Sequence, residues 1–274
     1  MNLLTVEGIS KSFGDKKIFD DITFGIDEGD RIGLIGINGT GKSTLLKIVA
    51  GNESADSGQI VKKNGLRIGY LPQTPDFDPE DTVLGQVFNC DSPVINLIKE
   101  YEQAVCEVEL TGSEESQKVL YALNDKMDAA DAWNIESDAK TILTKLNIPD
   151  FYKKAGTLSG GQLKRMALAR ALITPVDLLI LDEPTNHIDN DSVEWLEKYL
   201  AKYKGALLMV THDRYFLDRI VNKTLELDEA KLYSYTTNYS GFLEAKAERE
   251  ELAAAAERKR RNFLRTEIEW VRRG

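Results

Sequence analysis

The stretch that most constrains this chain is Gly36-Ile-Asn-Gly-Thr-Gly-Lys-Ser43, set between the apolar run Arg31-Ile-Gly-Leu-Ile35 and the helix-forming segment Thr44-Leu-Leu-Lys-Ile-Val-Ala50. A Gly-x-x-x-x-Gly-Lys-Ser pattern between a buried-looking strand and a helix is the phosphate-binding P-loop in its expected context. The residue types follow from the chemistry. Gly36, Gly39 and Gly41 let the backbone take positive φ and approach phosphate closely, so successive N–H groups and the helix N-terminus point at the anion. Lys42 adds a point charge for the outer phosphates and the Ser43 hydroxyl suits Mg²⁺, while Asn38, Thr40 and Thr44 complete the loop as binding candidates. A nucleoside triphosphate site is the expectation.

At 274 residues and 42% hydrophobic content, the chain buries a substantial core as one large domain or two small ones. Its formal charge of −10 excludes a generally basic nucleic-acid binder. The charge is uneven: residues 258–274 carry seven basic side chains against Glu267 and Glu269, a net +5 that leaves −15 elsewhere, so polyanion contact is expected at the C-terminal end. Cys90 and Cys106 are too few for a disulfide framework, and no signal peptide or apolar run of membrane-spanning length is evident, which points to the cytoplasm with reduced thiols and no membrane insertion.

Residues 3–9, 22–26 and 31–35 read as short strands separated by turns at Phe13-Gly-Asp15 and Glu28-Gly-Asp30, an antiparallel patch leading into the P-loop strand. Phe13 either stacks on a base beside the nucleotide site or belongs to the core. Residues 59–61 and 67–71 read as further strands, and Gln73 follows in Tyr70-Leu-Pro-Gln73. A polar side chain just past a strand end reaches a metal or water, or is simply solvated. The 84 residues from 74 to 157 differ in character, with helical apolar spacing over 94–108, 116–132 and 135–146, and read as an inserted helical subdomain.

Leu158-Ser-Gly-Gly-Gln162 opens a helix over 163–173, with Ser159 placed to cap it and backbone amides forming a second anion site. Leu178-Leu-Ile-Leu-Asp-Glu-Pro184 is an apolar strand ending in two carboxylates. Asp182 there is placed to hold Mg²⁺, and Glu183 to orient or deprotonate a water attacking the γ-phosphate. Two adjacent buried carboxylates need a cation nearby. The two histidines fall in Thr185-Asn-His-Ile-Asp189 and, after an apolar run over 206–210, in Val210-Thr-His-Asp-Arg214. At the end of a parallel strand, His212 would sit on the ligand side of an open sheet, within reach of a γ-phosphate.

Taken together, these segments resemble the ATP-binding cassette ATPases over residues 1–240. Residues 36–43 look like the Walker A motif, Gln73 the Q-loop, residues 158–162 with Ser159, Gly160, Gly161 and Gln162 the signature, and residues 178–183 Walker B with catalytic Glu183. Residues 185–189 look like the D-loop, His212 the switch histidine and Phe13 the adenine-stacking A-loop aromatic. The resemblance implies an α/β P-loop fold with a mixed core sheet, an antiparallel β patch and an inserted helical subdomain. It implies ATP and Mg²⁺ as cofactors, with Ser43, Gln73 and Asp182 at the metal. It also implies a second cassette as partner, because the signature of one cassette serves the ATP held by the Walker A motif of the other.

Thr211-His-Asp-Arg-Tyr-Phe-Leu-Asp218, Tyr239-Ser-Gly-Phe242 and Glu269-Trp-Val-Arg-Arg-Gly274 narrow the resemblance to the ABC-F family of soluble twin-cassette proteins, most like its Uup-type members. Such proteins contact the ribosome and its RNA through an arm in the helical subdomain and a helical linker between cassettes. The expected division is a cassette core at 1–73 and 158–240, an arm-containing helical subdomain at 74–157, and the start of a truncated linker at 241–274. The alternative is the ATP-binding subunit of a membrane transporter, which shares the nucleotide motifs but has no need of a long basic helix. A chromosome-maintenance ATPase would separate its motif halves by a long heptad coil, which residues 74–157 do not supply.

Overall fold

The computed structural model describes residues 1–89, 93–130 and 132–273; Cys90 and Gly274 lie outside them. Two sheets organise the chain. Strands β1 (Asn2–Phe13) and β2 (Lys16–Asp27) form a hairpin joined antiparallel by β4 (Ser57–Lys62), in the order β2-β1-β4. The second sheet runs β5 (Ile68–Leu71), β6 (Leu178–Asp182), β7 (Ala206–Val210), β3 (Arg31–Ile35), β8 (Lys223–Asp228) and β9 (Lys231–Tyr235). Its first five strands are parallel and β9 returns antiparallel. This is the mixed sheet with an antiparallel patch that the motifs implied.

Strands β6 and β7 are buried along their whole lengths, as expected for the middle of a parallel sheet covered on both faces. The pleat sorts their side chains. Leu178, Ile180 and Leu208 face a core shared with the antiparallel sheet and helix α1 (Lys42–Ala50), whereas Leu179, Leu181 and Met209 face the remaining helices. That second core holds α6 (Gly160–Ile173), α7 (Asn190–Ala201) and α8 (Arg214–Ile220), with Phe216 fully buried.

Between β5 and α6 the chain is helical: α2 (Val83–Phe88), α3 (Pro93–Thr111), α4 (Glu114–Ala129) and α5 (Ile135–Lys145). Thr82 and Ser113 cap α2 and α4 by accepting from Gly85 and Ser116 N–H groups. The short α2 lay hidden in the sequence, where six residues carry too little periodicity to register. Strands β1 and β2 are longer than their apolar segments because polar residues continue the pairing out to Phe13 and Lys16. Helix α6 begins at Gly160, inside the glycine-rich turn, because Ser159 and Gln162 form a capping box that makes those glycines its first turn.

The last helix, α9 (Tyr239–Arg273), is continuous for 35 residues. Its root is fixed to the sheet. Phe242 is buried against the rings of Tyr235 and Tyr239, at centroid distances of 5.2 and 5.8 Å. Glu226 on β8, 2% exposed, pairs with Lys246 and, at 2.9 Å, with Arg249, whose guanidinium lies 3.8 Å from the Tyr233 ring centroid. Among the core residues, Phe216 joins α8 to the helical side of the sheet. Phe216→Ala is expected to lower the unfolding free energy by about 3–5 kcal/mol, measured by denaturant titration; a loss below about 1 kcal/mol would contradict this packing.

Candidate functional site

Strand β3 ends at Ile35, and the chain turns through residues 36–41 into α1. Two glycines in this turn have no substitute. Gly36 has φ +156°, and an added Cβ would lie 2.5 Å from the Leu227 carbonyl oxygen; Gly41 has φ +97°, and an added Cβ would lie 2.0 Å from Ile18 Cγ2. Gly41 is also the N-cap of α1, with no side chain bonded there among the described residues, so the first-turn N–H groups remain available to an anion. Thr40 Oγ1 braces the loop by donating to the Ile37 carbonyl at 2.9 Å, while Asn38 and Gly39 are exposed at its crest. Thr44 sits half-buried in the first turn of α1.

Lys42 Nζ donates to the carbonyls of Gly36 at 2.8 Å and Ile37 at 3.1 Å. Burial pushes its pKa down, against the charges of Glu183 and Asp182 nearby. The parallel order places β6 two strands from β3, so its carboxyl end emerges beside α1. There Asp182 is 3% exposed, and neither carboxylate oxygen has a hydrogen-bond partner among the described residues. Burial raises its pKa, opposed by the neighbouring Ser43 hydroxyl and the ammonium groups of Lys47 and Lys42.

An orphaned buried carboxylate beside a hydroxyl oxygen offers the hard oxygen donors that fit a divalent cation. Ser43 and Asp182 would hold it. Gln73 is exposed and borders the same crevice as Asp182 and Glu183.

Glu183 follows with φ +54°, and His187 with φ +66°. Left-handed conformations at residues other than glycine are costly and concentrate at functional sites. The Glu183 N–H donates to the Val210 carbonyl at 2.8 Å, which ties the turn to the end of β7. The Glu183 carboxylate accepts from the His212 N–H at 3.3 Å and lies 3.4 Å from His212 Nε2. Burial raises the Glu183 pKa, and His212 works against that rise. The loops after β6 and β7 are further joined by a 2.7 Å hydrogen bond between the Thr185 and Thr211 hydroxyls. Gly36, Lys42 and His212 also border one cavity of about 390 Å³, which extends to Lys246 at the root of α9.

The structure thus brings together residues 36–44, Gln73, Asp182, Glu183 and His212. Phe13 stands at the tip of the β1–β2 hairpin, 53% exposed, and Lys16 in the same turn reaches the Gly39 carbonyl at 3.5 Å. Ser159, Gly160, Gly161 and Gln162 border neither of these pockets. They form the first turn of α6 against His187, whose Cβ would lie 3.6 Å from a Cβ added at Gly161. Lys16 lay in no motif, and Thr185 and Thr211 opened the segments 185–189 and 211–218 without a role assigned to either. They enter the site because the sheet order and the hairpin bring their loops together.

Known proteins resemble this chain in sequence and in fold. A family model described as ABC transporter matches residues 19–186, and a second of the same description matches residues 225–274. The chain is 50% identical over its whole length to an uncharacterized ABC transporter ATP-binding protein, YfmR, of Bacillus subtilis, covering 44% of that protein. It is 38% identical to the energy-dependent translational throttle protein EttA of Mycobacterium tuberculosis and 36% identical to EttA of Escherichia coli, covering 99% and 98% of this chain and 49% of each relative. The chain therefore spans about half the length of the curated relatives it matches. Among solved structures, it resembles in fold the dimeric post-hydrolysis state of an ATP-binding cassette bound to ADP and Pi, with TM-score 0.62 at 21% identity over 85% of this chain and 98% of that one. The chain belongs to the ABC transporter family and is one of its ATP-binding cassettes.

Proposed function

We propose that this cassette hydrolyses ATP as one half of a composite site and that the protein carrying it acts on the ribosome in the manner of an ABC-F factor. The observation that carries the ATPase reading is the pair at the end of β6. Asp182 is buried without a hydrogen-bond partner beside Ser43, and Glu183 is held in a strained turn against His212.

In this mechanism the backbone amides of residues 36–43 and the α1 N-terminus bind the phosphates, and Lys42 leaves its carbonyl partners for the outer phosphates. Ser43, Gln73 and Asp182 would hold Mg²⁺, which would supply charge neutralisation at the transferred phosphoryl group. Glu183 orients the attacking water and accepts its proton, assisted by a carboxyl pKa raised by burial. His212, bonded to Glu183 through its backbone, senses the γ-phosphate. Phe13 offers a ring face to adenine. Ser159, Gly160, Gly161 and Gln162 close on the ATP of a second cassette, in keeping with their position away from this chain's own P-loop.

Support for the ribosomal role comes from the relatives named translational throttle proteins and from the helical segments. Residues 74–157 are the arm-containing subdomain and residues 241–274 the start of the interdomain linker, in a protein of the cytoplasm. No helix among the described residues is long and apolar enough to cross a membrane.

Lys42→Ala is expected to abolish detectable ATP binding in equilibrium titration, whereas Glu183→Gln retains binding and loses turnover by about 10²-fold or more. Equal loss of binding in both variants would remove Glu183 from the chemistry. Asp182→Asn should raise the Mg²⁺ or Mn²⁺ concentration needed for half-maximal ATP binding, and an unchanged requirement would take Asp182 out of the metal site. For the ribosomal role, the intact protein carrying Glu183→Gln should cofractionate with ribosomes in ATP and not in ADP; absence from the ribosomal fraction in both would count for a transporter subunit instead.

A further inference from the structure

The base-binding end of the site contains a charged residue that the nucleotide motifs do not use. Lys11 lies two positions before Phe13 on β1, and its side chain is only 12% exposed. Its ammonium donates to the Ser54 carbonyl at 2.7 Å and pairs with Glu53 at 3.3 Å and Asp56 at 3.5 Å. It also lies over the Phe13 ring, 5.5 Å from the centroid. Four contacts hold one lysine. A lysine bound for solvation alone would keep its head group in water.

The partners of Lys11 come from the segment that follows the P-loop helix. Helix α1 ends at Ala50 with Gly51 as its C-cap, and residues 53–56 then run back along β1: the Ser12 N–H donates to Asp56 Oδ2 at 2.7 Å and the Asp56 N–H to the Ser10 carbonyl at 2.9 Å. The phosphate loop opens α1, and the residues fixing Lys11 follow its end. The phosphate loop and the Phe13 ring are thereby joined through α1, residues 53–56 and the Lys11 ammonium. Phe13 remains 53% exposed although Lys11 lies over its ring, so ring surface is left for a ligand. The ring quadrupole attracts a cation over it, so the fixed Lys11 ammonium helps to hold the ring in place.

We propose that Lys11 is a positioning residue for nucleobase binding: it fixes the Phe13 ring at a set distance from the phosphate loop, so that the exposed part of the ring stacks on a purine. This rests on the reading of Phe13 as the base platform. The role is confined to the base, because Lys11 is held by residues 53–56 and Phe13 and borders neither pocket at the P-loop.

The test measures equilibrium binding of ATP and, separately, of inorganic tripolyphosphate, which occupies the phosphate loop without a base. Lys11→Met is expected to weaken ATP binding by about two- to five-fold, the size of a partly exposed cation–π contact, and to leave tripolyphosphate binding unchanged. Lys11→Arg keeps a cation over the ring and should bind ATP like the parent. Phe13→Ala should lose more, about ten-fold, and adding Lys11→Met to it should cost nothing further. Equal weakening of tripolyphosphate, an Arg variant as impaired as the Met variant, or additive losses in the double variant would each overturn the proposal. If Phe13→Ala weakens ATP while Lys11→Met does not, the proposal fails and base stacking stands. If Phe13→Ala has no effect, both fail.

Discussion

Taking a carboxylate out of water without giving it a hydrogen bond is among the costliest things a fold does, and this chain does it to Asp182 at the carboxyl end of β6. The residue is fixed there by the parallel pairing of β6 between β5 and β7, whose side chains are packed on both faces and leave no room for the strand end to swing outward. The charges that offset the burial come from α1, through Lys42 and Lys47, with the Ser43 hydroxyl alongside. Strand order, helix placement and loop conformation therefore answer to one electrostatic problem. A protein selected for stability alone would place an apolar residue there.

Much of this was legible in the sequence because nucleotide chemistry restricts residue types locally. Gly36 and Gly41 are dictated by their own backbone torsions and by neighbours that leave no space for a Cβ. The strand carrying Asp182 and Glu183 announces itself by an uninterrupted apolar run, the mark of burial on both faces. Less legible were features that depend on distant segments. The bond between Thr185 and Thr211 exists because β6 and β7 are neighbours, and nothing near either threonine says so. The six residues of α2 and the polar ends of the β1–β2 hairpin lacked a period long enough to read. The start of α6 was missed by three residues because glycines argue against a helix, and here a capping box overrides them.

The glycine-rich turn at residues 158–162 shows the same economy of placement. Its serine and glutamine spend their hydrogen bonds on each other's backbone, leaving a tight helix N-terminus with exposed Ser159 and Gly160. Behind it, Asn147 at the end of α5 donates to Asp189 at 2.7 Å, and Ser192 donates to the Lys145 carbonyl at 2.9 Å. The helical segment is thus fastened to the loop that begins two residues after Glu183. Movement of α5 and α6 as a block would be felt at that loop.

The clamp on α9 sets a scale for mechanical output. At 1.5 Å per residue, a 35-residue helix is about 50 Å long, and it is gripped through Glu226, the register partner of Ile35, the residue before the phosphate loop begins. Grip and phosphate loop share adjacent strands, so the helix is a long pointer mounted close to its pivot. A tilt of about 5° there, too small to break the ion pairs, would sweep the far end through roughly 4 Å. Sub-ångström adjustments around a bound triphosphate would thereby become displacements comparable to the width of a side chain.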